Sequence, residues 1–273
     1  MLSNPAKAVL LKYLPGRADD RAFLFLVDAA LRSGRGQKIA ADGTTTVGEL
    51  DAIRDEIVAR GLPIGFVGIP MWESYLDTEA VSRSCAAGAW QLMPETAVEL
   101  GLNVADCRIG DQVWTPAPDS VASPESPYRL PDGSCGISAC AVDERTDLSR
   151  STIAAIDLLE QYYNAPDLTR NPDRAALTVL AYNTGLGSVR NMVTAVVDPF
   201  ETLDDCATDG CAHMGRVAAE YVPGSIAAAA LATCSAAQVP DSAFSSEARS
   251  SVCRSLEEAA LLPGTEPVVA DAD

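Results

Sequence analysis

The sequence predicts a mainly helical protein, and three observations carry that expectation. Hydrophobic residues make up 48% of the 273, enough to bury a core. Aromatics contribute only 5%, whereas strands draw on aromatic and β-branched residues, so the Ala- and Leu-rich remainder favours helices. Apolar residues also recur at helical spacing between recognisable start and stop signals. The formal charge of −18 argues against a nucleic-acid partner, because phosphate binding rests on Lys and Arg displacing counterions; it reads as a solvated acidic surface.

Taken in order, Pro5 to Tyr13, Asp20 to Ser33 and Val47 to Arg60 read as short amphipathic helices. Thr46 stands three residues before Glu49, the capping-box spacing, and GRGQKIAADGTT before it reads as a Gly-rich polar loop. The run that follows, with Ile64, Phe66, Val67, Ile69, Met71 and Trp72, is apolar all round and belongs in a core. It ends on one carboxylate, Glu73. Desolvation in such a place raises a carboxyl pKa and favours the protonated form that a general acid needs.

Small residues at Ala86, Ala87, Gly88 and Ala89 lead to Trp90 and Gln91, and MPETA opens a new helix with Pro94 early and Glu95 in its first turn. Asp77, four residues after Glu73, shares its face if the helix continues, which raises a paired-carboxylate reading. We expect Asp77 to turn the chain instead. Between Leu102 and Val142 lie 39 residues with five prolines, three cysteines and Trp114, which read as an irregular loop pinned by disulfides. Trp114 there either stacks on a sugar ring or plugs the loop's own small core.

A helix is predicted from Ser149 or Ser151 through Tyr163, with Ile153, Ile156, Leu158 and Leu159 on its apolar face and Asp143 and Arg145 ahead of it. Arg174 to Tyr182 reads as another, ending at Asn183 with Gly185 and Gly187 beyond to permit a left-handed stop. DDCATDGCAHMG at 204–215 reads as an insertion whose His213 is a surface residue. An Ala-rich helix from Ile226 to Ala237, a Ser-rich stretch, a short helix around Glu247 to Leu261 and an acidic tail from Pro263 to Asp273 complete the chain.

Eight cysteines, at 85, 107, 135, 140, 206, 211, 234 and 253, accompany a single His and form no C-x-x-C, so disulfides in an oxidising compartment fit better than zinc. Connectivity is open from sequence, although Cys135 with Cys140 and Cys206 with Cys211 each span a short loop, and Cys234 with Cys253 would staple two helices. No run approaches a transmembrane span. The start, MLSNPAKAVLLKYLPG, lacks a signal-peptide core and cleavage site, so export implies a removed leader, a fragment or another route.

Four blocks together resemble the lytic murein transglycosylases: Glu73-Ser74 with Ser82 and GAWQLMPETA at 88–97, VDERTDLSRSTIAA at 142–155, AYNTGLGSVR at 181–190, and, more weakly, YVPGSIAAA from Tyr221. GLP at 61–63 and the VDER block are closest to the membrane-bound type D branch. The resemblance implies a lysozyme-like helical catalytic domain at 53–230, with insertions near 103–141 and 204–215, a helical prelude at 1–52 and a helical extension with acidic tail at 231–273. It implies a peptidoglycan substrate, a periplasmic or cell-envelope location, and no metal or cofactor.

By the same resemblance, Glu73 is the catalytic acid and then base. Ser82, Gln91 and Met93 line sugar subsites, Tyr182 and Asn183 form the opposite wall, and Ser74, Asp143, Arg145 and Tyr221 support the site. Two departures stand out. Cys85 occupies a place where type D relatives commonly carry Gly, and Val217 stands where many relatives have a glutamate, with Glu220 displaced next to Tyr221. A hydrolytic muramidase using Asp77 to activate water and a non-catalytic wall-binding module are the rival readings.

Overall fold

The computed structural model describes residues 9–10, 13–42, 47–114, 130, 134–195, 200 and 213–235. Among these, nine α-helices run in the order α1 (Arg21–Arg32), α2 (Gly34–Asp42), α3 (Val47–Ala59), α4 (Gly68–Ser74), α5 (Pro94–Glu99), α6 (Leu148–Tyr163), α7 (Arg174–Thr184), α8 (Leu186–Ala195) and α9 (His213–Ser235). Strands β1 (Val104–Ile109), β2 (Gln112–Trp114) and β3 (Ile137–Asp143) fall between α5 and α6. The mainly helical expectation holds. Two compact units divide the chain, one formed by 1–72 with 159–273 and the other by 73–158.

In the first unit, α1 starts where the Asp20 carboxylate accepts the N–H groups of Ala22 and Phe23 at 2.9 and 3.3 Å, two donors that the helix itself leaves unpaired. The Gly-rich stretch after it is helical, contrary to the loop that its composition predicts. Ser33 is the reason: its carbonyl accepts from Gln37 and its hydroxyl from Gly36, so the residue that ends α1 also starts α2. Ile39 then buries completely and holds α2 to the core. The Thr46 cap and most of the predicted Pro5–Tyr13 helix lie outside the described residues.

Helix α9 packs against α1, α2, α7 and the short 3-10 turn Ile64–Val67. It begins at His213, thirteen residues before the predicted start, and continues through Pro223, which has no N–H to give the ladder. Burial carries it past that defect, since residues 221–232 are all buried. Two close approaches seat α4 on α9. A Cβ on Gly68 would run into the Ser225 carbonyl and Ala229, and one on Gly224 into the Trp72 indole. The apolar run before Glu73 is therefore a 3-10 turn followed by a seven-residue helix, placed by backbone contact.

Elsewhere in this unit the Arg17 guanidinium grips Asp173 at the start of α7, Nε to Oδ1 at 2.8 Å and Nη2 to Oδ2 at 2.5 Å, and lies over the Phe23 and Phe200 rings. In α6, Ile156, Leu158 and Leu159 are buried as predicted, but Ile153 is exposed. Its apolar stripe is narrower than the sequence suggests.

The second unit holds a sheet of order β2-β1-β3, antiparallel throughout, where the sequence led us to expect an irregular loop. Gly110-Asp111 form the two-residue turn between β1 and β2, with Gly110 at φ +58° and Ile109 opposite Gln112. Cys107 stands directly opposite Cys140 on β3, and the two are joined as a disulfide. No helix among the described residues is long and apolar enough to cross a membrane.

Candidate active site

Glu73 stands in the last turn of α4, half-buried, as is Trp72 before it. The all-round apolar run predicts a deeper acid; the chain leaves the helix one residue later and keeps that turn open. Ser74 is buried, and its hydroxyl donates to the Ala89 carbonyl at 2.8 Å. Tyr75 and Leu76 both take left-handed backbone, φ +61° and +65°, and reverse the chain. Asp77 therefore does not share a helical face with Glu73. It is exposed, and its carboxylate accepts the Glu79 N–H at 2.9 Å, so it turns the chain as expected.

The segment from Ala80 to Met93 folds back on itself. Ala87 and Leu92 exchange backbone hydrogen bonds at 3.1 Å, Gly88 donates to Ala80 at 2.9 Å, and Ser82 donates to Ala86 at 2.8 Å. The Ser82 hydroxyl accepts the N–H groups of Ser84 and Ala86 at 3.2 and 3.0 Å, which makes this residue the organiser of the turn. Gln91 is left-handed at φ +49°, and its Nε2 donates to the Ala80 and Gly88 carbonyls at 3.2 and 2.9 Å. Both amide hydrogens are thus engaged by the chain, and the oxygen is the part of Gln91 suited to a ligand. Met93, half-buried and extended, precedes Pro94 at the start of α5.

Arg145 fastens this fold from behind. It is 2% exposed; Nε and Nη2 meet the two Asp143 carboxylate oxygens at 2.8 and 2.7 Å, while Nη1 reaches the carbonyls of Cys85 and Leu92 at 2.7 and 3.1 Å. One planar cation therefore ties both ends of the 85–92 loop to the second sequence block. Gly88, at φ +77°, lies so close to the Arg145 carbonyl that no Cβ fits there. Trp90 is fully buried with its indole N–H on the Thr152 hydroxyl at 2.9 Å, which fixes the loop to α6.

Comparison with protein families gives a match on this segment. Residues 59–124 match the transglycosylase SLT domain. Members of that family are lytic transglycosylases acting on peptidoglycan, and the match supports a function of that general type. The SLT match contains Glu73, Ser74, Ser82, Gln91 and Met93, covers roughly a quarter of the chain and singles out no branch of the family. No curated protein matches the chain.

Two disulfides frame the SLT segment. Cys85 pairs with Cys135 and Cys107 with Cys140, so the short loop from Cys135 to Cys140 is not closed on itself. Strand register sets the second pair, and the Cys135 N–H donating to the Arg83 carbonyl at 2.5 Å brings the first together. The side chains of Cys206, Cys211, Cys234, Cys253, Trp114, His213 and Val217 lie outside what the structure describes.

Tyr182 and Asn183 occupy the last turn of α7 in the first unit, half-buried and exposed respectively, before Gly185 ends the helix at φ +81°. Tyr221 is buried in α9, and Glu220 beside it is exposed. Sequence reasoning did not single out Thr152, Ala80 or the left-handed Tyr75-Leu76 pair. Their contribution comes through backbone atoms or a single long-range bond, for which the sequence holds no local signal.

Proposed function

We propose that this chain is a lytic transglycosylase that cleaves the β-1,4 bond between N-acetylmuramic acid and N-acetylglucosamine and leaves a 1,6-anhydromuramyl end. Glu73 gives its proton to the glycosidic oxygen. As carboxylate it then takes the proton of the muramic C6 hydroxyl while that oxygen attacks the anomeric carbon of the same sugar. The nucleophile belongs to the substrate and is held in place by the ring, so one carboxylate suffices. The observation that carries this reading is the SLT match spanning Glu73 together with the fastening of the helix end beside it, Ser74 to Ala89.

On this reading the Gln91 carbonyl oxygen accepts from an acetamido N–H, and Ser82 and Met93 line the same subsite through a turn already tied down on its inner side. On the sequence resemblance, Tyr182 and Asn183 contact substrate, and Ser74, Asp143, Arg145 and Tyr221 have supporting roles. The disulfides suit an oxidising envelope compartment. Asp77 accepts the Glu79 N–H in its own turn and shares no helical face with Glu73, which favours a single-carboxylate mechanism over one in which Asp77 activates water. Mass spectrometry of muropeptides released from purified peptidoglycan tests the chemistry. Anhydro-ended products are expected; reducing-end products would replace the proposal with hydrolysis.

A further inference from the structure

The Cys85–Cys135 disulfide does more in this fold than cross-link it. Cys85 is fully buried with φ +72°, a conformation that a residue with a Cβ rarely adopts, and it is one of four non-glycine residues between Tyr75 and Gln91 with positive φ. In that conformation its N–H donates to the Ser82 carbonyl at 3.1 Å and its own carbonyl receives Arg145 Nη1 at 2.7 Å. Its sulfur is bonded to Cys135, and the Cys135 N–H donates to the neighbouring Arg83 carbonyl. The cross-link and these backbone bonds hold the same three-residue stretch, the one between Ser82 and the small residues leading to Gln91.

We propose that the Cys85–Cys135 disulfide is a redox-sensitive positioning element of the site. It holds residue 85 left-handed so that Arg145 closes the 85–92 loop, and its reduction releases the Ser82–Gln91 wall and lowers turnover. A dithiol reductant supplies the two electrons and two protons that convert the disulfide to two thiols, and is itself oxidised to a disulfide. Cys107–Cys140 joins β1 to β3, outside the Ser82–Gln91 wall, so its loss is expected to cost stability rather than turnover. This inference rests on the transglycosylase reading above.

The test compares kcat and KM on purified peptidoglycan for the oxidised wild type, Cys135→Ser, the double variant Cys85→Gly/Cys135→Ser, and Cys107→Ala/Cys140→Ala. With the cross-link gone, Cys85 relaxes toward ordinary backbone and kcat/KM falls by roughly tenfold, the scale set by one residue's aversion to left-handed backbone. Glycine has no such aversion, so the double variant recovers most of the activity without any cross-link. The Cys107→Ala/Cys140→Ala protein keeps its kcat and loses only thermal stability.

Full activity in Cys135→Ser, or equal losses in Cys135→Ser and the double variant, would overturn the proposal. If Cys135→Ser does not fold, dithiol titration of folded Cys107→Ala/Cys140→Ala, with the freed thiols alkylated and assigned to Cys85 and Cys135 by peptide mapping, gives the same reading. Activity falling with opening of this bond supports the proposal, and unchanged activity overturns it. An inactive oxidised wild type would instead count against the transglycosylase reading itself.

Discussion

The Ser74 hydroxyl donates to the Ala89 carbonyl at 2.8 Å, joining the residue after Glu73 to the turn that presents Gln91. The bond is buried. Ser74→Ala leaves the Ala89 oxygen unpaired, at about 1–3 kcal/mol. We expect thermal denaturation to show that loss, and turnover to fall further than substrate binding, because the bond orients the acid.

Arg145 supports the same turn with four side-chain bonds to Asp143 and to the Cys85 and Leu92 carbonyls. Arg145→Met strands the partly buried Asp143 carboxylate and frees the Cys85 carbonyl, while the Leu92 carbonyl keeps the Ala87 N–H, a loss of about 3 kcal/mol or more in urea denaturation. Arg145→Lys recovers little of this, since an ammonium cannot address a carboxylate and two carbonyls in one plane. A lysine variant with wild-type stability would show that the fork geometry is unimportant.

Trp90 and Thr152 form the remaining tie, between the loop and α6. Thr152→Val keeps the shape and removes the acceptor, leaving the buried indole N–H unsatisfied at about 1–3 kcal/mol. In the double-mutant cycle with Trp90→Phe the two losses are expected to be less than additive, as for two residues that share one bond. Additive losses would contradict the pairing.

In the first unit, the hydrogen bond from Arg190 holds the Asp167 carboxyl below its usual pKa, against a smaller opposing push from desolvation. A folded-state pKa below the unfolded value stabilises the protein above the unfolded pKa, and that contribution disappears as pH falls through the folded one. Asp167→Asn therefore melts slightly lower than wild type at neutral pH. The gap closes below the ordinary aspartate value of about 4. The pair is exposed, so added salt shrinks the neutral-pH difference as well.

Much of the helical framework was legible because its signals are local. Asp20 capping α1, Pro94 opening α5 and Gly185 closing α7 all act within a few residues. The misreadings share a cause. Gly34–Asp42 has loop composition yet is helical because Ser33 starts it and Ile39 buries, and α9 passes through Pro223 because tertiary contact outweighs a missing bond. The Gly110-Asp111 turn between CRI and QVW was a readable hairpin signal, obscured by the proline content downstream. Within the candidate site, Glu73 and Gln91 could be found by motif. Their setting could not, because Arg145, Thr152 and Cys135 reach it from 50 to 62 residues away or by backbone bonds that no side-chain pattern records.

On the proposed function, Glu73 alone carries the proton transfers. Glu73→Gln keeps the side chain's size and hydrogen-bonding reach but removes its ability to donate an acidic proton and take one back. The direct measurement is muropeptide mass spectrometry on peptidoglycan treated with wild type and with Glu73→Gln, both shown to be folded and bound to the wall. Anhydromuramyl products from the wild type and none from the variant are the expected result. Equal product from the two proteins would contradict the assignment of Glu73.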